Sequence, residues 1–82
     1  MPEISRFLGI VILMYFDEHN PPHFHVRYND FRASVGISDL NVIEGHLPAR
    51  VRSLVQEWAE AHQEELLQIW NTKEFHKVAP LV

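Results

Sequence analysis

The sequence predicts an α+β fold: an antiparallel meander of about four strands with one long C-terminal helix packed on one sheet face. Three observations carry this. Residues 23–28 and 31–37 each alternate apolar and polar side chains about a two-residue turn, as half-buried strands do. Residues 9–16 form an apolar, β-branched and aromatic run without alternation, as an interior strand covered on both faces does. From Pro48 to Asn71 apolar residues recur every three or four positions, the period of an amphipathic helix.

Met1 to Arg6 reads as a polar lead-in, and Gly9 to Phe16 as the first strand, with a buried helix as the alternative for so short an apolar run. Asp17 to Pro22 reads as a loop. Pro21 and Pro22 have no N–H to give a ladder, so the next strand starts after them. In His23–Tyr28, Phe24, Val26 and Tyr28 share one face; His23, His25 and Arg27 share the other. An Asn29-Asp30 turn then pairs Tyr28 with Phe31, Arg27 with Arg32, His25 with Ser34 and His23 with Gly36. This register lays Phe31, Ala33, Val35 and Ile37 beside the first apolar face.

Ser38-Asp39 reads as a turn and Leu40 to Glu44 as a short fourth strand. Pro48 suits the first turn of a helix, where its missing N–H costs nothing. Val51, Leu54, Val55, Trp58, Leu66, Ile69 and Trp70 form the buried stripe, and Gln56, Glu57, Glu60, Gln63 and Glu64 the opposite side. Phe75-His76-Lys77-Val78 offers a short edge strand that Pro80 limits. The helix stripe covers the apolar sheet face and leaves His23, His25, Arg27, Arg32 and Ser34 without an intrachain cover.

The chain of 82 residues is read as one domain, 1–82, with one thin core and no room for a deep active site. A second copy (a homodimer) or a partner protein would add buried area. Without cysteine there is neither a disulfide framework nor a thiolate site. The longest apolar run, Phe7 to Phe16, is shorter than the roughly 20 residues a bilayer span needs, and a signal-peptide pattern is missing. The expectation is a soluble, cytoplasmic protein with no membrane partner. A net charge of −4 argues against a general nucleic-acid binder. Yet five of the eleven acidic residues (Glu57, Glu60, Glu64, Glu65, Glu74) follow Pro48, while Arg27 and Arg32 fall beside the histidines, so a local basic patch remains.

The chemistry concentrates in His19-Asn20-Pro21-Pro22-His23-Phe24-His25-Val26-Arg27-Tyr28. Opposed like charges destabilise a strand pair by about 0.2–1 kcal/mol. Arg27 and Arg32 therefore read either as two forks around an anion such as phosphate, or as side chains splayed into water or paired with Asp30 and Glu44. His23 and His25 lie about 6–7 Å apart at Cα by the strand rise. One imidazole could take the proton of a ribose 2′-hydroxyl and the other protonate the leaving oxygen. Arg27 and Arg32 would stabilise charge on phosphorus. That is a metal-independent endoribonuclease with His23, His25, Arg27 and Arg32 as catalytic residues and no cofactor.

Two alternatives stand beside it. His19, His23 and His25 could hold a divalent metal such as zinc, with an oxygen from Asp17 or Glu18. Or Pro21-Pro22 only shapes a turn, His19 caps a backbone group, and His23 and His25 line a partner interface. His62, four residues from both Trp58 and Leu66, reads as a core histidine bonded to a backbone carbonyl. His46 joins the site only if the fourth strand brings it round, and His76 reads as exposed. Trp58 and Trp70 fit the core stripe.

The stretches Met1-Pro2-Glu3-Ile4-Ser5-Arg6-Phe7, Asp17-Glu18-His19-Asn20-Pro21-Pro22-His23-Phe24-His25, Leu47-Pro48 and Val55-Gln56-Glu57-Trp58 resemble the bacterial domain-of-unknown-function family 4160. The ending Phe75-His76-Lys77-Val78-Ala79-Pro80-Leu81 is similar too. The resemblance implies no reaction. It implies a second small protein encoded alongside, in an arrangement similar to a toxin–antitoxin pair, and marks His19, Asn20, Pro21, Pro22, His23 and His25 as signature positions. Joined to the chemistry, it suggests an RNA-directed, ribonuclease-type toxin; the alternative is a non-enzymatic antitoxin or partner-binding regulator.

Overall fold

The structure, a computed structural model, describes residues 3–15 and 17–82. It is α+β, with five strands and two helices where the sequence suggested four and one. The strands are β1 (Glu3–Phe7), β2 (Ile10–Leu13), β3 (His23–Tyr28), β4 (Phe31–Gly36) and β5 (Val42–Gly45). The helices are α1 (Ala49–Ala61) and α2 (Gln63–Thr72). The sheet is an antiparallel meander in chain order, with β3 in the middle. Among the described residues no helix is long and apolar enough to cross a membrane.

The extra strand lies where a polar lead-in was expected. Ile4 and Phe7 are buried, and Leu8 and Gly9 both take positive φ (51° and 79°). That pair of conformations makes the tight hairpin turn that suits twisted strands, and it sets Phe7 opposite Ile10. Gly9 therefore belongs to the turn and β2 ends at Leu13; the expected strand end at Phe16 lies outside the described residues. On β1, exposed Arg6 donates to Glu3 and holds its carboxyl below the ordinary carboxylate range, a surface pair of little weight for stability.

The β3–β4 hairpin follows the expected register at every pair, from Tyr28↔Phe31 to His23↔Gly36. Asn29 takes φ 52°, which a short polar residue tolerates in a turn. The next strand starts at Val42, not Leu40. Leu40 sits in a turn at φ 60°, with its N–H bonded to the Gly36 carbonyl. Gly45 ends β5 at φ 86°, and a Cβ there would meet the Arg32 carbonyl oxygen at 2.2 Å. Gly45→Ala should therefore cost about 1–3 kcal/mol, read as a lower urea midpoint, because backbone and strain oppose it together.

The long helix is broken at His62, whose φ/ψ of −123°/19° is not helical. Its N–H bonds the Ala59 carbonyl, and Leu66 N–H restarts the ladder on the His62 carbonyl. The buried stripe crosses the break undisturbed: Val51, Val55, Trp58 and Ala59 on α1, then Leu66, Ile69 and Trp70 on α2. Gln56 and Gln63 are not solvent-facing. They donate to the carbonyls of Leu40 and of Ile37 and Ser38, tying the helices to the β4–β5 turn.

Trp58 centres the core, against Phe7 and Phe24 at 5.8 Å each between ring centroids. Its indole N–H donates to the Ala79 carbonyl at 2.8 Å. The expected edge strand in the tail does not form. Instead Val78 is buried and gives one N–H to the Ile4 carbonyl of β1 at 2.7 Å.

Candidate functional site

The sheet face turned from the core carries two cross-strand rows. Leu13, His25, Ser34 and Glu44 oppose one another across β2 to β5, and Val11, Arg27 and Arg32 form the neighbouring row. With Tyr15, the polar residues of both rows line one open pocket of about 270 Å³. Side-chain alternation puts them there, since Phe24, Val26, Ala33 and Val35 point to the core; Phe31, expected beside them, is exposed at the hairpin end.

The loop between β2 and β3 adds Glu18. Its Oε1 accepts the His25 Nε2–H at 2.5 Å and lies 3.7 Å from His23 Nε2. A carboxylate only accepts, so the His25 proton sits on Nε2 and the Nδ1 lone pair faces the Ser34 hydroxyl, which donates across 3.3 Å. His23 donates Nδ1–H to the Pro21 carbonyl at 2.7 Å. That carbonyl follows a cis Asn20–Pro21 bond. The His23 ring lies between those of His25 (5.1 Å) and Trp70 (5.2 Å), and Tyr15 meets His25 edge-on at 4.9 Å. Side-chain exposure is 13% for His23, 28% for His25 and 24% for Glu18, so His23 is the most enclosed.

His23 and His25 therefore come together as expected, and Glu18 joins them. His19 does not: it is exposed on the loop, where it helps line an adjoining cavity, and it is no part of the convergent donor set. Arg27 and Arg32 are directly opposed. Among the described residues neither forms a salt bridge, and neither Asp30 nor Glu44 reaches them. The outer face is not wholly bare, because Trp70 of α2 reaches the His23 ring while staying 6% exposed.

The other histidines lie apart. The His46 ring meets that of Phe31 at a tilt, 5.8 Å between centroids. His62 bonds the Glu65 carboxylate at 3.3 Å rather than a backbone carbonyl, and its ring meets Trp58. His76 is exposed, 3.6 Å from Glu65. Glu18 was only one of two suggested oxygen donors. Its signal was its place five residues before His23, with the Pro21-Pro22 loop folding it back.

A five-stranded meander backed by two helices, with a carboxylate, two imidazoles and two opposed guanidinium groups on its open face, defines a small α+β protein with a polar site on a sheet. The profile of one family, described as a domain of unknown function (DUF4160), matches residues 9–71, and the chain belongs to that family. No curated protein and no solved structure matches it.

Proposed function

We propose that the protein acts on RNA phosphodiesters through this face, as the ribonuclease-type component of a toxin–antitoxin-like pair. The observation that carries the reading is the Arg27–Arg32 pair, without a salt-bridge partner among the described residues, one row from His25 and Ser34 and lining the same pocket as they do. A phosphate between two guanidinium forks relieves their repulsion and accepts from both.

With Glu18 holding its Nε2–H, His25 presents Nδ1 as the base. Nδ1 takes the proton of the ribose 2′-hydroxyl, and the Ser34 hydroxyl gives up its long bond. The 2′ oxygen attacks phosphorus, the bond to the 5′ oxygen breaks, and a 2′,3′-cyclic phosphate forms. Protonated His23 gives its Nε2 proton to the leaving 5′ oxygen. Arg27 and Arg32 hold the charge that gathers on the non-bridging oxygens. Glu18 is a positioning residue. The 2′-hydroxyl requirement makes RNA, not DNA, the substrate class.

Binding tests the electrostatic half. Fluorescence anisotropy of a labelled single-stranded RNA should show Arg27→Glu/Arg32→Glu binding at least about tenfold more weakly than wild type, with a shallower salt dependence. Equal affinity at equal salt would remove the phosphate role. The partner-binding alternative draws on the enclosure of His23, which suits a structural imidazole. It predicts weakened RNA or partner binding with no cut RNA.

A further inference from the structure

We propose that Glu18, His23 and His25 form a binding site for one divalent transition-metal ion of the zinc type. One carboxylate oxygen and one nitrogen from each histidine all lie within 4.8 Å of one another. Both imidazoles turn Nε2 toward the same oxygen, Glu18 Oε1. The remote nitrogens have partners that suit this: His23 donates its Nδ1–H to the Pro21 carbonyl, and His25 Nδ1 faces the Ser34 hydroxyl, which donates to it now and accepts from it once the ring proton moves to Nδ1. Metal-bound histidines are held in this way, with the remote N–H on a carbonyl or other acceptor and the near nitrogen free for the ion.

Metal–ligand distances of about 2.0–2.2 Å set tetrahedral donors about 3.4 Å from one another, so Glu18 Oε1 must back away from His25 Nε2, now at 2.5 Å, and close slightly on His23 Nε2, now at 3.7 Å. Glu18, on a loop, can supply most of that movement. Two imidazole donors favour zinc, cobalt or nickel over magnesium or calcium, which take oxygen. Three protein ligands leave a position open toward solvent or a fourth group. The donor set differs from the one the sequence suggested, with Glu18 where His19 was expected.

Occupancy and the RNA chemistry exclude each other, and this consequence alone rests on the reading above. A metal on His25 Nε2 takes the lone pair there. The ring proton then sits on Nδ1 and is donated to Ser34, so His25 has no lone pair left to act as base. Metal would act as a reversible inhibitor of cleavage.

The test titrates Co²⁺ and Zn²⁺ into the purified chain with no RNA present, by calorimetry and by the visible absorption of bound Co²⁺. The expected result is one ion per chain, with Glu18→Gln and His25→Ala each weakening binding at least about tenfold and His19→Ala and His76→Ala leaving it unchanged. Circular dichroism checks folding, and Glu18→Gln, on the loop, decides the matter if His25→Ala fails to fold. Absence of stoichiometric binding to wild type, or undiminished binding to Glu18→Gln, overturns the site. Because RNA is absent, failure of the RNA reading leaves this result intact. Cleavage that is unchanged or faster with one bound Zn²⁺ overturns the inhibitory consequence.

Discussion

Replacing His25 with alanine is expected to slow RNA cleavage by about 10²–10⁴-fold, the range a positioned acid or base contributes. The size follows from where His25 stands. It is bonded both to the Glu18 carboxylate and to Ser34, and it shares a pocket with both arginines. Glu18→Gln keeps a group of similar shape but removes the charge that supports the imidazolium, so it should lower the rate without abolishing RNA binding. In cells, induced wild type should arrest growth and a folded His23→Ala/His25→Ala protein should relieve the arrest. Cleavage by a folded His25→Ala protein at the wild-type rate would remove His25 from the chemistry.

Trp58→Ala is expected to cost about 3–5 kcal/mol, the range for a fully buried aromatic residue. That is a large share of the roughly 5–15 kcal/mol by which domains are stable. Trp58 is 0% exposed and joins three parts of the molecule. Phe7 and Phe24 meet it from the sheet, α1 carries it, and its N–H holds the tail through the Ala79 carbonyl. Trp58→Phe keeps most of the packing and leaves that carbonyl without its indole donor, so it should cost about 1–3 kcal/mol. Urea denaturation reads both. A midpoint unchanged in Trp58→Ala would mean that the core does not centre on this ring.

These two residues differ in how plainly the sequence announced them. Trp58 falls in a stripe at helical spacing, and β3 and β4 alternate so cleanly that one turn fixed every pair between them. The Arg27–Arg32 opposition followed from that register. The first strand escaped because Ile4 and Phe7 are too few to set a period, and the turn needs Leu8 at positive φ, which leucine rarely announces. The helix break escaped because Trp58 and Leu66 stand eight residues apart, close to two full turns, so the stripe runs through His62 unchanged. Glu18 was ambiguous beside Asp17 because a loop has no periodicity to aim a side chain. The contact of Trp70 with His23 depends on how the end of α2 meets the sheet, which local pattern does not encode.

The most direct measurement is the chemical nature of the ends left on a defined RNA after incubation with purified, metal-free protein. Mass spectrometry should find 2′,3′-cyclic phosphate and 5′-hydroxyl ends with wild type, and intact RNA with His25→Ala. RNA left intact by a folded wild-type protein that still binds it, or fragments bearing 5′-phosphate ends, would contradict the acid–base account of this face.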